Sequence, residues 1–195
     1  MDTNTILQVK LITEDKGWDV LNTISLLIAV GGFVFGFYQF FSNARLKRLE
    51  YLETLLRQMR EDAMLKTATV LLDWDVREVT IGDRSFTYNS SMLTGAFRDH
   101  RLMGHDDSFS YDEAAVRDVM DALFDCLATI QRATELRTLS REDVFESPLA
   151  YYFGKLAEKV QMNNGAVTTY LAAYGFDRAG KLLSAFARCQ QRRPG

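Results

Sequence analysis

Residues 21–41, LNTISLLIAVGGFVFGFYQFF, run for 21 positions without one Asp, Glu, Lys, Arg or His. A helix rises about 1.5 Å per residue, so the run covers roughly 31 Å, against a bilayer hydrocarbon core of ~30 Å. Trp18 stands just before it and Tyr38 near its end, where interfacial aromatics sit. A helix that is apolar all round has no solvent face, so a soluble fold would have to bury it from every side. The run is therefore expected to be a transmembrane helix.

A secretory signal peptide needs a basic leader and a small-residue cleavage site. Here the leader carries Asp2, Glu14, Asp15 and Asp19 against Lys10 and Lys16, and the run ends in Phe40-Phe41. It reads as a retained anchor. Arg45, Lys47 and Arg48 follow before the first acid, Glu50. The positive-inside bias then places the N-terminus outside and the C-terminal part in the cytoplasm of an inner-membrane protein. Within the run, Ser25, Ala29, Gly32 and Gly36 share a face, with Gly31 alongside. Gly32 and Gly36 form a GxxxG step, which lets two backbones approach closely in lipid.

The expected organisation is a short extracytoplasmic N-terminus (1–20), the transmembrane helix (21–41), a juxtamembrane amphipathic helix (42–75) and a helical cytoplasmic domain (76–195). Two prolines in the whole chain favour long helices over a turn-rich β fold. No Gly or Pro occurs from Ala44 to Trp74, so one continuous helix is expected to lead from the bilayer into the domain. Leu49, Leu52, Leu56, Met59 and Ala63 repeat at 3-4 spacing and make its apolar stripe. Two heptads are too short for a coiled coil, and packing on the chain's own domain is the preferred reading. Val79–Tyr88, with Gly82-Asp83 at its centre, carries a hairpin signal. Asn89 or Ser90 is expected to cap a short helix. Ser110-Tyr111-Asp112-Glu113 is a capping box opening a helix to about Leu136, with Cys126 on its buried stripe. Further helices are expected after Ser140, after Ser147-Pro148, from Ala166 to Tyr174, and from Asp177 to about Gln191. The fold class is mainly α with one short hairpin.

Chemistry-bearing motifs are sparse. The sequence holds no GxxxxGK[ST], GxGxxG, HExxH, CxxC or GxSxG. Cys126 and Cys189 form no motif together, and free thiols in a reducing compartment are expected. His100 and His105 lie in a polar stretch with Asp99, Asp106 and Asp107. Asp99, His100, His105 and Asp106 could hold a divalent metal, but a solvated loop is the preferred reading. No metal, cofactor or catalytic set is assigned. The net charge of −3 favours no specific nucleic acid. Arg188, Arg192 and Arg193 end the chain on a basic note; a solvated terminus is preferred over contact with anionic lipid.

Asp73-Trp74-Asp75-Val76-Arg77 is the one unusual polar cluster. As a ligand site, Arg77 would take an anion and Trp74 would stack on a ring. As structure, which is preferred, Trp74 is buried at the helix–hairpin junction and Arg77 pairs with an acid.

LLIAVGGFVFGFYQF, then ARLKRLEYLETLLRQMRED, the DWDVRE stretch and the late SPLAYYFGKLAEK helix together resemble the organisation of a group of uncharacterised bacterial single-pass membrane proteins. These carry a small helical cytoplasmic domain of unknown function. The resemblance implies a membrane anchor and a helical domain, and brings no catalytic residues. The expected function is a membrane-anchored, non-enzymatic adaptor, sensor or effector acting through self-association, in a stress or phage-defence setting. Its expected partners are the bilayer, a second copy of the chain through Ser25, Ala29, Gly32, Gly36, Leu49, Leu52, Leu56 and Met59, and another protein. The alternative is a membrane-tethered enzyme or nucleotide-binding effector with a site at Asp73, Asp75 and Arg77.

Overall fold

The computed structural model describes residues 3–99, 101, 108–162 and 165–192, and for residues 3–19, 21 and 160–162 the backbone alone. It is mainly helical, with one two-stranded hairpin. The chain divides into two units, residues 1–47 and 48–195.

The first unit is helix throughout its described part, the leading portion of α1 (Thr3–Glu61). Among the described residues it supplies the one helix long and apolar enough to cross a membrane. Its most apolar 18-residue stretch has mean hydropathy 1.9, and none of that stretch is buried. Phe33, Phe37 and Phe41 line one side at ring separations of 5.5 and 5.0 Å, the first pair stacked and the second edge-on. They use the i,i+4 geometry that brings side chains together on a helix face.

The second unit contains the end of α1, then α2 (Ala63–Asp73), β1 (Val76–Ile81), β2 (Arg84–Asn89), α3 (Ser91–Ala96), α4 (Tyr111–Glu135), α5 (Arg141–Glu146), α6 (Leu149–Met162), α7 (Ala166–Ala173) and α8 (Asp177–Gln191). The expected single helix from Ala44 to Trp74 is broken. Asp62 takes extended angles (φ −69°, ψ 124°), and its carboxylate accepts the amides of Met64 and Leu65. An N-cap acid satisfies the free amides of a new first turn, and here that ends α1 and starts α2. On the last turns of α1, Leu52, Leu55 and Met59 are buried and Leu56 is half-buried, whereas Leu49 is exposed, as is Ala63 at the start of α2.

Helix α4 is the centre of this unit, packed by α2, α3 and α8. Its start is fixed by the Ser110–Glu113 capping box: Ser110 Oγ accepts from the Glu113 amide, and Glu113 Oε2 accepts from the Ser110 amide. Val116, Val119, Met120, Leu123, Phe124, Leu127 and Ile130 then face inward at 3-4 spacing, each buried. Cys126 is half-buried beside them, and burial pushes its thiol up to about 11.

The hairpin closes through Gly82 at φ 60°, at the first loop position, where a two-residue turn of the primed kind calls for glycine. Val79 and Tyr88 are buried and Ile81 and Phe86 half-buried, so one face of the hairpin joins the helical core. This provides the support that an isolated pair of strands lacks. At the end of α7, Gly175 at φ 81° lets the Phe176 amide reach back to the Leu171 carbonyl, closing the helix and turning the chain into α8.

Candidate functional site

The five residues of the DWDVR cluster span the junction from the end of α2 to the start of β1, and all five are exposed. Helix α2 ends at Asp73, and Trp74 turns extended (φ −120°, ψ 143°), which aims its indole outward. The expected burial of Trp74 is therefore corrected: it is 51% exposed. Among the described residues Arg77 finds no acid in an ion pair. Its guanidinium lies over the Trp74 ring, 4.9 Å from the centroid, a contact that shields one indole face from water.

The two carboxylates are taken up by α6. Asp73 accepts a hydrogen bond from the Tyr151 hydroxyl, which raises that phenol's pKa. Asp75 Oδ1 pairs with the ammonium of Lys159. The pairing is unequal in burial, since the Asp75 side chain is 76% exposed and the Lys159 side chain 6%. The hydrogen bond from Lys159 and its charge hold the Asp75 carboxyl below the usual range. Tyr88 lies nearby, fully buried, and its hydroxyl has no hydrogen-bond partner among the described residues. Burial, reinforced by the Asp75 charge, raises its pKa. Lys155, one turn before Lys159, is engaged by Glu158 at 3.1 Å.

The cluster is thus an open ledge carrying an aromatic–guanidinium face beside a carboxylate–ammonium pair. Such a surface can hold a planar or anionic group by stacking and charge. Its two carboxylates are already matched to Tyr151 and Lys159, which is what a structural joint between α2, β1 and α6 also requires. Tyr88, Tyr151, Lys155 and Lys159 were missed in the sequence because they lie far from DWDVR along the chain. The spacing of Tyr151, Lys155 and Lys159 at i,i+4,i+8 on one helix was the available signal.

A second polar cluster surrounds Arg117 on α4. Its guanidinium lies over Phe109, Tyr170 and Tyr174, at 5.0, 4.8 and 4.4 Å from the ring centroids. Tyr170 donates to Asp121 at 2.6 Å. Burial raises the Asp121 carboxyl above its usual value, offset only in part by that hydrogen bond and by Arg117. Asp99 is gripped through both oxygens by Arg101 and accepts from the Tyr174 hydroxyl at 3.1 Å. The Arg101 hydrogen bond holds the Asp99 carboxyl well below the usual range. Its other suggested metal partners, His100, His105 and Asp106, lie outside the described residues, as does Arg193. Among the described residues no group of three His, Cys, Asp or Glu side chains is arranged to hold a metal ion.

Of the residues expected at a helix–helix contact, Ser25, Ala29, Gly32, Gly36 and Leu49 are exposed. Leu52 and Met59 are in the core of the second unit, and Leu56 packs at its edge.

No family model, curated protein or solved structure matches the chain.

Proposed function

We propose that this is a single-pass protein of a bacterial inner membrane, with its N-terminus outside and its C-terminal helical part in the cytoplasm. The cytoplasmic part acts as a non-enzymatic adaptor or sensor through self-association. One observation carries the reading. The same chain that buries its apolar residues efficiently after Arg48 leaves Leu26, Leu27, Ile28, Phe33, Phe35 and Phe40 more than 60% exposed in α1. A contiguous apolar surface of that size marks a membrane or partner contact. Arg45, Lys47 and Arg48 supply the cytoplasmic charge bias. Reporter fusions at residues 5 and 195, with extraction of the full chain, test the proposal. The expected result is opposite sidedness and a requirement for detergent; a chain soluble without detergent, or both ends on one side, overturns it.

The ledge supports a second reading, a ligand-binding effector using Asp73, Asp75 and Arg77. Its specific support is the convergence of the near-buried Lys159 with Asp75 and the Trp74–Arg77 stack on one surface. Asp73→Asn and Arg77→Gln separate the two. Loss of the cellular phenotype with unchanged folding and membrane level favours a ligand site, whereas loss of folding favours a joint.

A further inference from the structure

A groove of about 940 Å³ runs between α6, α7 and α8 and reaches the end of α4. Among the described residues no ring lines it: Leu171, Leu183, Ala172 and Ala187 give its apolar wall, and Thr168, Lys181 and Ser184 lie beside them. It adjoins a smaller hollow of about 280 Å³, and Arg141 and Arg188 line both. Neither guanidinium is ion-paired to a carboxylate among the described residues. Two acids, Glu135 and Asp177, also line the larger groove. Glu135 is engaged by Arg178 and Gln131. Asp177 opens α8 eleven residues before Arg188, roughly 16 Å away along the helix. Glu142 and Glu146 line the smaller hollow together with Arg141, Arg188 and a third guanidinium, Arg192, which leaves cations in excess there.

From this arrangement we infer a binding site for an anionic amphiphile: a phosphate or carboxylate head on Arg141 and Arg188, and an aliphatic tail along α8 towards Gly180. Two guanidiniums offer forked donors that match such oxyanions. The volume is that of a small-molecule site. The absence of ring surfaces argues for an alkyl tail over a nucleobase, which would look for an aromatic to stack on. The site is separate from the ledge and does not depend on the proposed adaptor role.

The test uses the full chain in phosphatidylcholine nanodiscs and a dodecyl phosphate carrying a diazirine on its tail. Photolabelling followed by peptide mapping is expected to mark α7 and α8, with competition by unlabelled dodecyl phosphate. Inorganic phosphate and dodecanol at the same concentration are expected to compete at least tenfold less well. Arg141→Gln with Arg188→Gln is expected to cut α8 labelling at least tenfold. Ala172→Trp, which adds bulk to the apolar wall of the groove, is expected to do the same. All of these positions are exposed, and an unchanged unfolding midpoint verifies that the variants are folded. Label confined to α1, full labelling in both variants, or equal competition by inorganic phosphate overturns the inference.

Discussion

The carboxylate of Glu113 fills the space that a side chain on Gly95 would need: a Cβ built at position 95 lies 2.8 Å from Glu113 Cδ. That carboxylate is also fixed, by the Ser110 amide at 2.9 Å and by Arg98 at 3.0 Å. In an open helix, Gly→Ala stabilises by about 1 kcal/mol. At Gly95 the sign reverses, because Glu113 must leave the capping box, a loss of ~1 kcal/mol or more. Gly95→Ala is expected to destabilise by about 1–2 kcal/mol in denaturant titrations. In a Glu113→Ala background the same change becomes neutral or stabilising, the coupling that a double-mutant cycle reads.

The joint between α2 and α6 is expected to respond asymmetrically to loss of its two charges. Asp75→Asn removes a carboxylate from a near-buried ammonium, whereas Lys159→Met replaces that ammonium with an apolar side chain of similar length. The first is expected to destabilise more than the second, since weakening the pairing of a near-buried charge is costlier than removing that charge. Because Lys159 depresses the Asp75 pKa, the pair contributes stability fully above the unfolded value near 3.8, and loses it as pH falls through the lower folded value. Unfolding profiles between pH 2 and 5 should show that loss in the wild type and a smaller one in Lys159→Met.

Asp121 works in the opposite direction. Its folded pKa is raised by burial, so its contribution is fully present below the unfolded value near 3.8 and falls away as pH climbs through the raised one. Asp121→Asn keeps an oxygen for the Tyr170 hydroxyl and removes the desolvated charge. Stability measured from pH 3 to 7 should lose this component in the variant. An unchanged profile would place Asp121 in solvent rather than against α7.

Some of this arrangement was legible in the sequence and some was not, for identifiable reasons. The Ser110–Glu113 box, the Gly82 turn and the inward stripe of α4 follow from local geometry, which a sequence displays directly. The break at Asp62 did not stand out, because an acid in RQMRED looks like one more charge on a solvated face; only its extended backbone reveals a cap. Trp74 was expected inside because large aromatics usually are. The end of α2 turns it outward, and Arg77 covers the ring instead of a core. The Arg117 clamp joins Phe109, Tyr170 and Tyr174 across more than fifty residues, and nothing local announces such a contact. The face that α1 buries is set by the partners α1 meets, so Leu55 lies in the core while Leu49 stays exposed.

The two thiols should be separable by alkylation. With its pKa pushed up to about 11, only about one Cys126 in a thousand is thiolate at pH 8. Iodoacetamide under native conditions is expected to label Cys189 first, with Cys126 reacting on a par only in denaturant. Mass spectrometry of the two peptides reads this directly, and equal native rates would show that the face of α4 bearing Cys126 is open to water.

The strongest test of self-association uses glycines that cost the single chain nothing to replace. A Cβ built at Gly31, Gly32 or Gly36 meets no atom within 4 Å. Ile at these positions therefore has no clash to relieve within its own protomer, and its extra bulk is tolerated by lipid. Any change in stoichiometry on Gly32→Ile with Gly36→Ile must come from a second helix lying on that face, where small residues allow the backbone approach that a branched side chain blocks. Single-molecule photobleaching in membranes is expected to show a dimer for the wild type and a shift towards monomer for the double variant. An unchanged dimer would move the contact away from this face, to Leu49 and the turns beyond it. A monomeric wild type would remove self-association from the proposed function altogether.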